Sequence, residues 1–383
     1  YLPTIEFSSA RGDERSRPGS YNDEDGNRVM DTKHFRTDRM LSIRQPIFDP
    51  SIIADILKFH SSEDLSESQN QDVKEEIALK TITAFFQLLQ ARKSVQLQDQ
   101  YKGYLNKLYG RMKARVEGGA GVRADLDRIH SRFMLAEAER LEALGVYTTK
   151  LGEFRRLTRV TPAMLKVPDV FVPNTPPTAG EALSIALRRN PGYLASLDQI
   201  EVAKGDRDRS FANLLPKLSV EYSRSNTYNA GGSADGNPVD GVYPKQDDER
   251  LMLVASWSLA GGTPVASGMS GQAKVRQMKM KSRDVRARVE AAIETGYDAL
   301  DASAKRIAIL YETFNVDKRV AADMEDQYKQ GNRSLFELLD AYERLHESKR
   351  ALMQTIIAKV ELAYQIKRQT GELTRSLIKS EGI

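Results

Sequence analysis

Cysteine is absent from all 383 residues, which excludes disulfide frameworks and thiolate zinc sites and suits a reducing or an oxidising compartment equally. Histidine is scarce. His34, His60, His130 and His346 are scattered, with no i, i+4 partner of ligand type, so they indicate no metal centre. No run approaches the ~20 apolar residues of a membrane-spanning helix. That excludes a helical membrane protein but not a β-barrel, whose strands of ~10 residues alternate apolar and polar and hardly raise the hydropathy. Charge of one sign is in short supply too: the net charge is +4, basic residues are interleaved with acidic ones, and nucleic-acid binding gains no support. The glycine cluster Gly118-Gly119-Ala120-Gly121 lacks the Lys-Ser/Thr of a phosphate loop and follows a helical segment rather than a strand. With no Ser/His/Asp set either, neither an enzyme nor a cofactor is expected. No targeting segment is visible, and the start at Tyr1 looks trimmed.

What is present is charge and helical periodicity. Charged residues make up 29% and hydrophobic residues 40%, with a mean hydropathy of −0.50, a balance that suits long exposed helices. Between Met324 and Arg344 a glycine break at Tyr328, Gly331, Asn332 and Arg333 separates two helical flanks, and Ser334 with Glu337 forms a capping-box pattern at the start of the second. The same design recurs earlier. Placing Gly331 on Gly119 brings Glu337 onto Asp125, Leu338 onto Leu126 and Arg344 onto Arg132, at a constant offset of 212. The chain therefore reads as a duplicated unit.

The first repeat is expected over 1–156, with strands 1–11 and 39–48 and helices 50–116 and 122–156. A proline-rich linker, 157–178, carries Pro162, Pro168, Pro173, Pro176 and Pro177. The second repeat is expected over 179–373, with a helix 179–213, strands 215–225 and 249–259, and helices 263–329 and 334–369, followed by a tail 374–383. Ile5 and Phe7, like Leu218, Val220 and Tyr222, share one strand face, as do Leu251, Leu253, Ala255, Trp257 and Leu259. Strand 39–48 alternates less cleanly, and its outward face is not assigned. Segments 11–38 and 226–248 are polar, without periodicity, and are expected as exposed loops. Arg11-Gly12-Asp13 spells an adhesion tripeptide, but three-residue matches are common by chance. The lone Trp257, near a strand end, suits a lipid interface, with a core position as the alternative. The two long helices would each span ~100 Å at 1.5 Å per residue, and the return helices are half as long. These end in similar words, Leu151-Gly152-Glu153-Phe154 and Thr370-Gly371-Glu372-Leu373, and helix 179–213, stacked end to end with a return helix, has the missing length.

Four strands cannot close a barrel alone, since about eight is the smallest practical number; three copies would supply twelve. The duplicated Leu-Pro strand openings, the Asn190-Pro191 helix, the Phe48-Asp49 and Leu259-Ala260-Gly261-Gly262 strand exits, the tip turns and the Gly-Glu helix endings, in this order and spacing, resemble the TolC family of bacterial outer-membrane channel proteins over essentially the whole chain. The resemblance implies a mixed α and β fold: a homotrimer with a twelve-stranded β-barrel in outer-membrane lipid, four strands per protomer, continued by a long periplasmic α-helical barrel. It implies an exit duct whose far tip, at the turns of Gly119 and Gly331, docks an inner-membrane ABC transporter and a membrane-fusion adaptor. In the family a Tyr and an Arg near the second turn bond to an Asp at the first turn of a neighbouring chain and lock the tip. Tyr328, Arg333 and Asp125 match those positions, while Ala124 replaces a Thr of the pattern. The family's inward carboxylate ring is matched by Glu337 and Asp340, which share a helix face at i, i+3; such a ring admits cations and binds them as blockers. The residues alone equally allow Glu337 as a cap, Asp340 as a first-turn acid and Tyr328 as helix packing. Type I protein secretion is the favoured use, drug or metal efflux the competitor, and a non-pore coiled-coil scaffold or periplasmic adaptor the alternative of another class.

Overall fold

A computed structural model describes residues 2–16, 21–22, 28–29, 32–160, 173–228, 245–258 and 262–375. In chain order the elements are β1 (Thr4–Ser16), β2 (Tyr21–Asn22), β3 (Arg28–Val29), β4 (Thr32–Phe48), α1 (Pro50–Glu117), α2 (Arg123–Thr158), α3 (Ala179–Arg189), α4 (Pro191–Ala212), β5 (Lys217–Tyr228), β6 (Lys245–Ser256), α5 (Thr263–Lys329) and α6 (Leu335–Gln369). They fold as two compact units, one of Tyr1–Glu63 with Asp198–Lys279, the other of Asp64–Leu197 with Met280–Ile383.

The first unit is built on an antiparallel four-stranded sheet in the order β1-β4-β5-β6; β2 and β3 form a separate two-stranded ribbon. Directly opposed residues of antiparallel strands share a face, so the register sorts the side chains. Ile5, Ile43, Tyr222 and Leu251 stand in one row, Phe7 and Leu41 with Arg224 and Glu249 in the next, and Gln45, Val220 and Leu253 in the row on the other side. The unassigned face of the second strand is thereby settled: Leu41 and Ile43 join the apolar side. The opposite face carries Glu6, Ser42, Ser223 and Arg250 in one row and Thr4, Arg44, Glu221 and Met252 in another, with Arg44 and Glu221 paired at 3.3 Å. The ladder slips between Pro46 and Phe48, because Pro46 has no N–H to donate.

The strands are longer than the alternation suggests. Residues 11–16 and 32–38, expected as loop, continue β1 and β4. They are too polar to show a periodicity of two, yet the ladder needs only backbone groups, and cross-strand contacts support it: Arg36 bonds Glu14 at 3.0 Å and the Arg11 guanidinium lies 4.8 Å over the Phe35 ring. In the second loop β5 runs to Tyr228 and β6 begins at Lys245, while 229–244, like Leu259, Ala260 and Gly261, lies outside the described residues. Trp257 falls just past β6, exposed, its indole N–H donating to the Leu214 carbonyl at 3.0 Å. It is not a core residue of this chain. At the foot of the sheet Asp49 caps α1 by accepting from the Ser51 N–H at 2.9 Å, and Lys217 bridges Asp49 and the Ser51 hydroxyl.

In the second unit the apolar spacing closes several small cores rather than one. Leu105, Leu108 and Met112 of α1 meet Leu126 and Ile129 of α2 and Leu335, Leu338 and Leu339 of α6; α3 packs Ala182 and Ala186 on Val289 and Ile293 of α5. The chain from 179 to 212 is two helices rather than the single one expected. Pro191 drives the residue before it out of the helical region, and Asn190 sits at φ −64°, ψ 113°. That side chain, 3% exposed, accepts from the Tyr193 N–H at 2.8 Å to cap α4 and donates to the Gln369 carbonyl at 2.8 Å, which ties the end of α6 to the break. The matched helix endings also diverge: α2 continues through Gly152 to Thr158, whereas Gly371 does terminate α6, at φ +67°. Of the linker prolines, Pro162 and Pro168 lie outside the described residues, and Pro176 accepts from the Tyr297 hydroxyl at 2.6 Å. The start of the expected tail is ordered by Glu75, wholly buried on α1, which accepts from the Leu373 and Thr374 N–H groups; 376–383 lie outside the described residues.

Candidate functional site at the two helix turns

The α1–α2 and α5–α6 turns close in the same way. Gly119 (φ +75°) donates to the Val116 carbonyl and Ala120 to that of Arg115; Gly331 (φ +80°) donates to Tyr328 and Asn332 to Gln327. Each is a Schellman termination, and each places its glycine where an L side chain is strained. The turns differ in how the next helix starts. Ser334 and Glu337 make the full capping box, but Val122 stands at the equivalent point of α2 and offers no side-chain bond.

Around the second turn, Arg333 donates to Gln327 at 2.9 Å and to Glu337 at 2.8 Å. The Ser334 N–H, the Ser334 hydroxyl and then Arg333 hold the Glu337 carboxyl below the usual range. The stability this cap contributes is present above the ordinary carboxylate pKa and is lost as pH falls through the depressed one. Asp340, one turn further along α6, is paired with Arg344 at 3.0 Å. Both carboxylates are thus salt-bridged within the chain, in solvent-exposed pairs that water screens.

Tyr328 is half-buried against the α1–α2–α6 core. Burial pushes its phenol up, Arg115 pulls it down, and Asp125 acts on it from the first turn. One chain therefore brings Tyr328 and Asp125 into the same neighbourhood, while Arg333 finds its partners, Gln327 and Glu337, in its own turn.

A second network was not anticipated. Tyr342 stacks on Tyr104 with ring centroids 3.4 Å apart and donates to Glu325, a hydrogen bond that heads the causes holding that carboxyl low. Arg111 of α1 reaches the same Glu325 at 3.5 Å, and Arg132 of α2 pairs Glu343 of α6 at 2.7 Å. These partners lie on different helices, so no i, i+4 spacing announces them; the one available signal is the pile of aromatics at Tyr101, Tyr104, Tyr109 and Tyr342. Phe336 and Val122 were also passed over, and both stand exposed at the turns. Among the described residues no group of three or more His, Asp or Glu side chains could hold a metal ion, and no helix is long and apolar enough to cross a membrane.

No family model matches the chain. The chain is similar to the alkaline protease secretion protein AprF of Pseudomonas aeruginosa, 25% identical over 204 residues that cover 49% of this chain and 42% of AprF. It is also similar to the outer membrane efflux protein BepC of Brucella suis, 21% identical over 308 residues that cover 76% of this chain and 62% of BepC. It thus spans less than two thirds of either relative. Among solved structures the outer membrane protein VceC of Vibrio cholerae superposes with a TM-score of 0.78 at 15% identity, covering 96% of this chain and 87% of VceC.

Proposed function

We propose that this chain, whose fold is that of the TolC-family outer-membrane channels, is one protomer of a passive exit duct that carries substrate from an inner-membrane transporter across the periplasm and outer membrane. The observation that carries this reading is the sheet: four strands with an apolar face and a polar face, and with β1 and β6 left as open edges. Three copies would close twelve strands, apolar side to lipid and polar side to the lumen, and their helices would form the periplasmic barrel. Trp257 then sits at a lipid interface.

For cargo we favour type I protein secretion, with an ABC transporter and a membrane-fusion adaptor docking at the turns of Gly119 and Gly331. The likeness to AprF, a secretion protein by name, supports this. The longer match to BepC, an efflux protein by name, supports drug or metal efflux as the second reading. At the tip we assign Tyr328, Arg333 and Asp125 to a lock between neighbouring chains, and Glu337 and Asp340 to a constriction ring of six carboxylates.

The test is single-channel conductance of the full-length protein in planar bilayers. Wild type should give a small cation-selective current that a trivalent cation blocks, and Glu337→Gln/Asp340→Asn should abolish the block. Tyr328→Phe/Arg333→Ser should raise the resting conductance several-fold. A verified trimer that gives no current in wild type or in the lock variant would overturn the duct; unchanged block or unchanged resting conductance would overturn the ring or the lock.

A further inference from the structure

The sheet carries more cations than its own ion pairs use, and two of them, Arg11 and Arg39, share the apolar face. On the polar face Arg36 is bound by Glu14 and Asp38, and Arg44 by Glu221. On the apolar face the rows beyond Phe7 and Leu41 read Ser9, Arg39, Asn226, Asp247 and then Arg11, Thr37, Tyr228. Asp247 is engaged by Arg224, and Asp13, on the same face, has a partner of its own. Arg11 and Arg39 make no ion pair among the described residues, and Arg11 is held over the Phe35 ring at 4.8 Å. The two arginines are diagonal neighbours on β1 and β4, a spacing of ~7–8 Å that long side chains bridge, within reach of one ligand.

The position along the strands matters as much as the pairing. On β1 and β4 the apolar residues extend from Phe48, opposite Leu218, to the row of Phe7 and Leu41, roughly 20 Å at ~3.4 Å per residue and close to the ~25 Å apolar band of an outer-membrane barrel; on β5 and β6 that last row is Arg224 and Glu249. Arg39 and Arg11 come directly after that band, on the hairpin side of the sheet, away from the ends that lead into α1, α4 and α5. Phe35 and Tyr228 lie beside them, where barrels carry an aromatic girdle.

We propose that Arg11 and Arg39 form a binding site for the phosphates of an outer-leaflet glycolipid. This rests on the channel reading, which makes the apolar face the lipid face and the hairpin side the outer side. A guanidinium suits a phosphate because it donates two parallel hydrogen bonds with its charge, and one held over an aromatic ring at the edge of the apolar band is already oriented towards the headgroup layer. On the other face Arg36 and Arg44 are paired within the chain, and Arg250, in the row of Glu6, Ser42 and Ser223, faces the lumen in the channel reading.

The experiment is native mass spectrometry of the delipidated, detergent-purified full-length protein titrated with diphosphoryl lipid A or its dephosphorylated form. Wild type should prefer the phosphorylated lipid by about tenfold or more, the factor that a charge-assisted bidentate contact supplies. Arg11→Gln/Arg39→Gln should lose that preference, Arg11→Lys/Arg39→Lys should keep only the part owed to charge without the bidentate contact, and Arg250→Gln, which removes a cation from the opposite face, should leave it unchanged. Millimolar inorganic phosphate should not compete. The proposal falls if the glutamine variant keeps the preference, if Arg250→Gln loses it equally, or if inorganic phosphate displaces the lipid. A wild type that does not enter bilayers overturns the channel reading; one that enters and ignores the phosphates overturns only this site.

Discussion

Two glycines that look equivalent in the sequence have opposite roles. Gly152 lies on the exposed side of α2, and a Cβ there meets nothing within 4 Å. Gly371 sits at φ +67°, and its Cβ would come 2.1 Å from the Arg189 carbonyl oxygen. Gly152→Ala should therefore stabilise the protein slightly, by ~0.5–1 kcal/mol of helix propensity. Gly371→Ala should cost on the order of 2–4 kcal/mol, the left-handed strain plus a clash with backbone that cannot swing aside. Gly331→Ala, strained but unobstructed, should fall between, at ~1–2 kcal/mol. Thermal unfolding of the purified protein should rank the three in that order; a Gly371→Ala melt at or above wild type would refute the close approach. The shared Gly-Glu words hid this difference because the clash comes from α3, which no local pattern of α6 encodes. The capping box was legible for the opposite reason, since Ser334 and Glu337 satisfy each other within four residues.

Among the elements, the two long helices were legible because nothing interrupts their periodicity, and the break at Asn190 was not, because apolar spacing continues across it. Only the steric rule for the residue before proline points to it. The packing of α1 on α6 was invisible for want of any spacing rule across helices, and it holds a titratable group. His346 stacks on Tyr101 with centroids 4.8 Å apart, and its Nε2 is buried with no hydrogen-bond partner among the described residues. Burial, then Arg350 and Lys349, push its pKa down, against a smaller pull upward from Glu343; Arg132, Glu139 and Glu347 line the same recess. A histidine whose folded pKa is depressed contributes stability that is complete above the unfolded value of ~6.5 and is lost as pH falls through the folded one. The melting temperature should thus drop between pH 7 and pH 5, and His346→Gln should flatten the part of that drop owed to this residue. Parallel pH profiles for wild type and variant would exclude a role for His346 in acid loosening of the α1–α6 contact.

For the whole molecule the decisive feature is what one chain leaves open. The sheet ends in β1 on one side and β6 on the other, each with a row of backbone groups that have no ladder partner among the described residues, and such edges are a liability unless another strand covers them. Sequence alternation exposed the apolar face but could not count chains, because the closure argument is arithmetic about strand number rather than about any residue. Its outcome can be read covalently, and these 383 residues hold no cysteine that would compete. A cysteine at Phe7 of β1 combined in turn with one at Glu249, Leu251 or Leu253 of β6 samples successive positions along the facing edge. Oxidation of the detergent-purified protein should join chains in at least one combination, because paired strands bring Cα atoms within the ~4.4–6.8 Å that a disulfide spans. If three sheets close one barrel, the ladder of products should stop at three chains. Products that continue past three would mean an open, head-to-tail array. No joining in any combination, from protein that still runs as an oligomer, would mean that the helices alone hold the copies together and that the sheet edges are covered in some other way.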